Sequence, residues 1–224
     1  MEESRLFGRL LDLLYPRRCP FCLGFLKEDE HLFCRRCAAT LPFVERGPIY
    51  NVEGVESCVA PLWFQDSVRK AIHRFKFKRA TSCAPVFASL MAGWVREYQE
   101  GEYDLITWVP LSRKKRGRRG YDQAALLAEV LAKELNCPCT CLLRKKGDIQ
   151  VQSSLKSAAA RRANVLGMYE VLDRSLCAGK RILLVDDVVT TGSTLSECAV
   201  MLLIGGAKCV YAVTAARAGE AAKG

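Results

Sequence analysis

Residues 181–194 read Arg181-Ile-Leu-Leu-Val-Asp-Asp-Val-Val-Thr-Thr-Gly-Ser-Thr194. The short, β-branched apolar run at residues 182–185 predicts a central strand of a parallel sheet that is covered on both faces. A helix should begin near Ser193 or Thr194, since either side chain can cap it. The stretch therefore predicts a strand, a polar turn and a helix, with two acids at the end of the strand.

Acidic and hydroxyl side chains fill this turn, at the place where α/β sheets bind ligands. Two acids would repel a phosphate, so Asp186 and Asp187 are expected to bind sugar hydroxyls, or a Mg²⁺ ion carried in by the ligand. A phosphate would bind at the helix N-terminus. The residues predicted to surround it are Thr190, Thr191, Gly192, Ser193 and Thr194. The alternative is a solvated turn; a P-loop is excluded, because no Gly-x-x-x-x-Gly-Lys-Ser/Thr occurs.

The front of the chain carries two Cys-x-x-Cys pairs. Cys19 and Cys22 form the first pair, and Cys34 and Cys37 form the second. Each pair presents two thiolates from a tight turn, and the loop between the pairs lets them converge on one tetrahedral Zn²⁺ ion. A segment with so few apolar residues would need such a metal to fold. Two disulfides, or a redox Cys-x-x-Cys, are the alternatives.

Composition bounds the class of protein. The chain has 224 residues, 50% of them hydrophobic, which suits an α/β domain with a small appendage. We expect domains at residues 1–50 and 51–224.

The acidic start, the lack of a long apolar run and the unpaired cysteines predict a cytoplasmic location without a membrane span. Residues 5–15 predict a helix docked on its own domain, and Cys137, Cys139 and Cys141 are expected on one face of a short strand.

Two basic runs account for much of the net charge of +10. The first, residues 69–79, interleaves Arg and Lys with Ile72, Phe75 and Phe77. The second is read as a loop and contains Arg113, Lys114, Lys115, Arg116, Arg118 and Arg119. Basic clusters with aromatic neighbours suit single-stranded nucleic acid, through phosphate neutralisation and base stacking. The alternative is a solvated basic surface with the phenylalanines in the core.

The order of elements predicts a doubly wound parallel sheet. Strands are expected at residues 55–64, 105–109, 140–143, 168–172, 182–185 and 208–215, and helices at residues 67–77, 83–98, 123–135 and after residue 193. Alternation of strands and helices favours this α/β class. A polar stretch at residues 145–164 predicts a lid or functional loop.

Residues 181–194 resemble the phosphoribosyl-pyrophosphate (PRPP) motif of type I phosphoribosyltransferases. The whole chain resembles the ComF family of competence proteins, through the two cysteine pairs, Phe75-Lys-Phe-Lys78, Arg116-Gly-x-x-Gly-Tyr-Asp-Gln123, Gln152-Ser-Ser-Leu155, Arg161-Arg-Ala-Asn164 and that motif. The resemblance implies a zinc-bound N-terminal domain on a type I phosphoribosyltransferase fold, with Arg161 and Arg162 beside the pyrophosphate or nucleic acid. It also implies a role with transforming single-stranded DNA beside a competence helicase.

Two functions from different classes follow. A phosphoribosyltransferase would stabilise the pyrophosphate that leaves PRPP with Mg²⁺ and with the basic run at residues 113–119. No acceptor base is identifiable, and the chain start lacks the nucleophilic cysteine of an amidotransferase. A nucleic-acid-binding accessory protein would use the same anion site for a nucleotide or a DNA phosphate, and the sequence favours this second interpretation.

Overall fold

The computed structural model describes residues 17–45, 52–146 and 167–219. The predictions for residues 5–15, for most of the polar stretch at residues 145–164, and for Arg161 and Arg162 lie outside these residues.

A parallel sheet forms the centre of the fold, as predicted. Its strands are β1 (Cys58–Val59), β2 (Leu62–Trp63), β3 (Leu105–Trp108), β6 (Arg181–Val189) and β7 (Cys209–Arg217). The order is β1-β7-β6-β3, and β2 pairs with a further stretch of β7. Every pairing in this sheet is parallel. The single strand predicted at residues 55–64 is wrong, because Ala60 and Pro61 separate β1 from β2, and proline has no N–H to donate to a ladder.

Helices cover both faces of the sheet. They are α1 (Arg35–Thr40), α2 (Asp66–Phe77), α3 (Cys83–Tyr98), α4 (Arg113–Arg119), α5 (Gln123–Leu135), α6 (Arg174–Cys177) and α7 (Ser193–Ile204). The side chains of β6 alternate between two cores. Leu183 and Val185 pack with α2, α3 and α5, while Ile182 and Leu184 pack with α6 and α7. This arrangement confirms the predicted layers. No helix in the described ranges is long and apolar enough to cross a membrane.

A separate antiparallel pair corrects two predicted strands. Strand β4 (Leu143–Lys145) pairs with β5 (Tyr169–Val171), outside the parallel sheet. The stretch from Cys137 to Leu142 forms no strand, and only Cys139 makes an isolated bridge, to Ile106. The prediction that Cys137, Cys139 and Cys141 share one strand face is therefore wrong, and Cys141 is exposed. Pro138 interrupts the donors that such a strand would need.

The predicted basic loop is a helix. Residues 113–119 form α4, capped by the Ser112 hydroxyl, which accepts a hydrogen bond from the Lys115 N–H at 3.3 Å. Gly120 ends the helix at φ 83°, a left-handed conformation that suits glycine. Without an apolar side chain the sequence shows no helical periodicity, so the pattern could not reveal α4. None of its residues is buried.

Candidate functional site: an acid-lined cleft beside a basic face

The two acids lie within strand β6 and not at its end. The strand continues through them to Val189, and Asp186 pairs in register with Thr214 of β7. The Asp187 N–H donates to the Asp186 carboxylate at 2.8 Å. Because β6 runs on to Val189, the prediction that the strand ends at the two acids is wrong. Asp187 is only 8% exposed. Both carboxylates line a cleft of about 220 Å³, here called the acid-lined cleft.

A lysine from outside the motif reaches this acid pair. The Lys76 ammonium of α2 lies 2.6 Å from Asp187 Oδ1, and the two side chains are 22% and 11% exposed. Burial, together with the charge of Asp187, raises the pKa of Asp186 to about 8. Lys76 opposes this shift without cancelling it. Asp186 therefore favours its protonated form, so the two acids together carry less than two negative charges. The Lys76 ammonium compensates for the charge on Asp187.

A third acid, Asp122, also lines the cleft. Asp122 accepts the Leu111 N–H at 2.8 Å and, as N-cap of α5, the Ala125 N–H at 3.3 Å. Burial raises its pKa, and these two hydrogen bonds counteract the shift. Asp122 thus fixes the turn between β3 and α4 to the start of α5, and that turn forms a wall of the cleft.

The hydroxyl-rich turn after β6 has the geometry of an anion site. Gly192 is the N-cap of α7 at φ 78°, where a side chain would be strained. The expected caps Ser193 and Thr194 are instead the first residues of the helix. Thr191 Oγ1 lies 2.8 Å from Ser193 Oγ and accepts the Ser193 N–H at 3.4 Å. The N–H groups of the first turn and these exposed hydroxyls are suitable donors for a phosphate.

Basic side chains complete the rim of the cleft. Lys115 and Arg119 of α4 line it, as does Lys145, whose ammonium lies 3.1 Å from the Tyr169 hydroxyl. Burial raises the pKa of Tyr169 well above its usual range. Arg113 and Lys114 border one neighbouring groove and Arg118 borders another, while Arg116 is exposed and lines none of the three.

The two basic runs meet at this rim. The Tyr121 hydroxyl donates to the Phe75 carbonyl, which joins the end of α2 to the segment after α4. The Arg79 guanidinium lies against Gly120, so closely that a Cβ there would fall 2.8 Å from Arg79 Nη2. We call α4 together with residues 77–79 the basic face. Runs that are distant in sequence thus form one cationic surface beside the acid-lined cleft.

The four predicted cysteines form one cluster. The sulfur atoms of Cys19, Cys22, Cys34 and Cys37 all lie within 4.8 Å of one another. Those of Cys22 and Cys34 are 3.6 Å apart, close to the separation of about 3.8 Å that a tetrahedron with Zn–S bonds of about 2.3 Å requires. Burial raises the pKa of the Cys22 thiol, but hydrogen bonds from Gly24 and the other thiols outweigh it and bring the pKa to about 6. Four converging soft donors fit zinc.

Arg74 of α2 contacts the segment that carries the first cysteine pair. Its guanidinium donates to the Phe21 carbonyl at 3.0 Å and to the Pro20 carbonyl, within the first Cys-x-x-Cys pair. Phe21 in turn packs edge-on against Phe87 of α3, with ring centroids 5.9 Å apart. Helix α2 therefore contacts the cysteine cluster through Arg74 and the acid pair through Lys76.

Comparisons with known proteins agree with this geometry. Residues 122–223 match the family model described as phosphoribosyl transferase domain, and residues 10–50 match the double zinc ribbon domain. The DNA utilization protein YhgH of Escherichia coli (strain K12) is 30% identical over 196 residues, covering 86% of this chain and 80% of that protein. Competence protein F of Haemophilus influenzae is 32% identical over 198 residues, covering 81% and 83%. The chain belongs to the ComF family.

Competence protein ComFC of Bacillus subtilis is a further relative, 27% identical over 185 residues, with 83% of this ComF-family chain and 71% of that protein covered. Among solved structures, the glutamine PRPP amidotransferase from B. subtilis is 23% identical with a TM-score of 0.43, covering 59% of this chain and 26% of that one. The two family-model matches, and not this weak structural similarity, give the chain a type I phosphoribosyltransferase fold with a double zinc ribbon at the N-terminus. The double zinc ribbon match and the cysteine cluster together indicate structural zinc.

Five of the residues predicted for the ligand site of this ComF-family chain line one cleft. Asp186, Asp187 and Thr194 line the acid-lined cleft with Lys115 and Arg119. Sequence reasoning missed Lys76, Asp122, Lys145 and Tyr169 as parts of the cleft. For Lys76 a signal existed, because the buried residue Ile72 lies four positions before it and places it near the inner side of α2.

Proposed function

We propose that this ComF-family protein binds a phosphoribosyl ligand in the acid-lined cleft and single-stranded DNA on the basic face. In this way it would assist the uptake or processing of transforming DNA. The observation that carries the proposal is the convergence of the two basic runs at the rim of the cleft. The cleft matches a sugar phosphate, with acids for hydroxyls and an N–H-rich turn for phosphate.

The basic face supports the DNA half of the proposal. Its helix α4 presents six Arg and Lys side chains in seven residues, none of them buried. A flexible polyanion would follow such a surface by neutralising its phosphates and releasing counterions. The names of the relatives, which include a DNA utilization protein and competence proteins, support the same role. A helicase partner and a cytoplasmic site of action belong to this proposal through the resemblance to the family.

Mg²⁺ enters the proposal with the ligand. Asp186 and Asp187 offer the carboxylate oxygens that Mg²⁺ prefers, and bound Mg²⁺ would neutralise the diphosphate of PRPP. Lys76 already balances part of the carboxylate charge. Because Lys76 and bound Mg²⁺ would compete for the same carboxylates, we expect the acids to hold the ribose hydroxyls and Mg²⁺ to bind the diphosphate.

Titration of a single-stranded oligonucleotide at several salt concentrations tests the DNA half. We expect the logarithm of the affinity to fall linearly with the logarithm of the salt concentration. Replacing Arg116, Arg118 and Arg119 with alanine should flatten the slope by about 0.7 for each phosphate that is no longer neutralised. The matched control is Arg174→Ala with Lys180→Ala and Lys208→Ala, which removes equal charge at α6 and at the amino ends of β6 and β7 and should leave the slope unchanged. Equal slopes in both triple variants would contradict DNA binding on the basic face.

Phosphoribosyl transfer is the second candidate, favoured by the cationic side chains that face the acid pair. Lys115 and Arg119 line the cleft and would stabilise the charge on departing pyrophosphate, while the acids hold the ribose. A release assay for pyrophosphate from PRPP, with nucleobases and amines as acceptors, tests it. If the protein binds PRPP but releases no pyrophosphate with any of these acceptors, the binding role stands and the enzymatic role is contradicted.

A further inference from the structure

Phe77 is an exposed aromatic side chain in an unusual position. It is the last residue of α2, and its side chain is 57% exposed, whereas the other large apolar residues of that helix, Ile72 and Phe75, are buried. Phe77 borders a groove of about 310 Å³ together with Lys115, Arg118 and Arg119. The ring therefore contributes little to the core and lies among cations.

Neighbouring side chains hold the ring in place. The Arg119 guanidinium carbon lies 4.9 Å from the ring centroid, and Arg119 itself donates to Gln123 Oε1 at 2.6 Å. The His73 ring lies 4.7 Å away, tilted by 44°. A ring that is fixed before binding loses little conformational entropy when a ligand stacks on it. More than half of its surface is still available for such a ligand.

The side chains around Phe77 indicate which class of ligand the groove would bind. An apolar protein surface would have to desolvate Lys115 and Arg118 without pairing them, which is costly. A single strand of DNA offers both a flat aromatic base and flanking phosphates, in agreement with the ring and the charges. We propose that Phe77 is a base-stacking platform for single-stranded DNA, with Lys115 and Arg118 neutralising the adjacent phosphates. This inference rests on the proposed function and names the residue that contacts the bases.

A second phenylalanine provides a matched control. Phe25, in the zinc ribbon, is 61% exposed and has the Arg18 guanidinium 4.3 Å from its ring centroid. It thus repeats the exposure and the cation contact of Phe77, but it is not part of the groove beside α4. If an exposed ring with an arginine were sufficient for stacking, both residues would act alike.

The test compares two oligonucleotides of equal length, one of thymidines and one with abasic sites, titrated into the full chain. Stacking of one base contributes roughly 5- to 150-fold in affinity. Phe77→Ala should lose that factor for the thymidine strand, Phe77→Trp should keep it, and Phe25→Ala should bind within about twofold of the wild type. The salt slope of Phe77→Ala should equal that of the wild type, because no cationic side chain is removed.

Three outcomes would overturn the inference. They are equal affinity of the wild type for both strands, wild-type affinity of Phe77→Ala for thymidines, and a flattened salt slope in Phe77→Ala, which would mean that the ring only positions Arg119. In each case salt-dependent binding by the wild type keeps the proposed function intact. If the wild type binds neither strand, the proposed function fails first, and the inference fails with it.

Discussion

The cysteine cluster and the acid-lined cleft both gather side chains that repel one another when ionised. In the cluster, four thiols converge within 4.8 Å and already provide a complete tetrahedral ligand set. In the cleft, Lys76 pairs with Asp187, and both acids lie beside an exposed hydroxyl-rich turn. The first arrangement is closed and suits a structural metal. The second is open and suits a ligand that arrives from solution.

The largest effect is expected at the closed site. Cys37→Ser should lose zinc and the order of the zinc ribbon, because structural zinc contributes about 10–16 kcal/mol to the folding of such modules. Metal analysis of purified protein should fall from one zinc per chain in the wild type to well below one.

Cys141→Ser is the control, since Cys141 is exposed and lies outside the cluster. Retention of a full zinc equivalent by Cys37→Ser, or loss of zinc in Cys141→Ser, would show that the cluster is not the metal site.

The ion pair at the open site should have an intermediate effect. Lys76→Met leaves the largely buried Asp187 without its cation, and we expect the free energy of unfolding to fall by about 2–4 kcal/mol. Adding Asp187→Asn should restore at least half of the lost free energy, because a neutral amide then replaces the unpaired Asp187 carboxylate. Urea denaturation measures both.

A surface ion pair provides the reference. Arg144 and Glu170 are paired at 2.6 Å with side chains 53% and 32% exposed, so Arg144→Met should cost less than about 1 kcal/mol. A cost for Lys76→Met as small as this, or no rescue by Asp187→Asn, would mean that the cleft is as solvated as the surface.

The acid pair should also make stability depend on pH. The pKa of Asp186 is raised from 3.8 to about 8 in the folded state, so between these values the folded chain binds a proton that the unfolded chain does not. The free energy of unfolding should therefore fall as pH rises from 5 to 8, by an amount on the order of a few kcal/mol. Asp186→Asn should reduce this slope, and denaturation curves across the range measure it.

Asp104 is the control for this prediction, because its pKa is shifted in the opposite direction from that of Asp186. Hydrogen bonds from Arg181 lower its pKa to about 2, so its contribution is present above the unfolded pKa and is lost only as pH falls toward 2. Asp104→Asn should leave the slope between pH 5 and 8 unchanged. A wild-type slope of zero in this window would mean that Asp186 is ionised throughout.

Elements with an apolar pattern and clear ends were predictable. The bounds of α3 and α5 agree with the predicted residues 83–98 and 123–135, because a continuous buried face runs through each. Strand β6 was underestimated at residues 182–185, since its last four residues include the acid pair and polar residues interrupt an apolar run. Helix α4 gave no signal at all, because its stability depends on caps and context and not on an apolar face.

Site residues that lie on one segment could be predicted from the sequence. Site residues that come together only when distant segments pack could not. Asp186, Asp187 and the hydroxyl-rich turn are contiguous, so a single motif revealed them. Lys76 was counted as one of many basic residues, and only the packing of α2 against the sheet brings it to Asp187. Asp122, Lys145 and Tyr169 lie on three other segments, and no local pattern relates them to the acid pair.

Calorimetric titration of PRPP with Mg²⁺ tests the central claim, that the cleft is an open ligand site while the cysteine cluster is closed. Wild-type protein should bind one PRPP per chain and retain its zinc. Thr191→Ala with Asp187→Asn should weaken binding by roughly 10- to 100-fold, the effect of losing hydrogen bonds to charged groups, with an unchanged circular dichroism spectrum. Thr81→Ala, an exposed threonine in another turn, should bind as the wild type does. Wild-type affinity in the double variant, or no binding of PRPP by the wild type, would contradict the account.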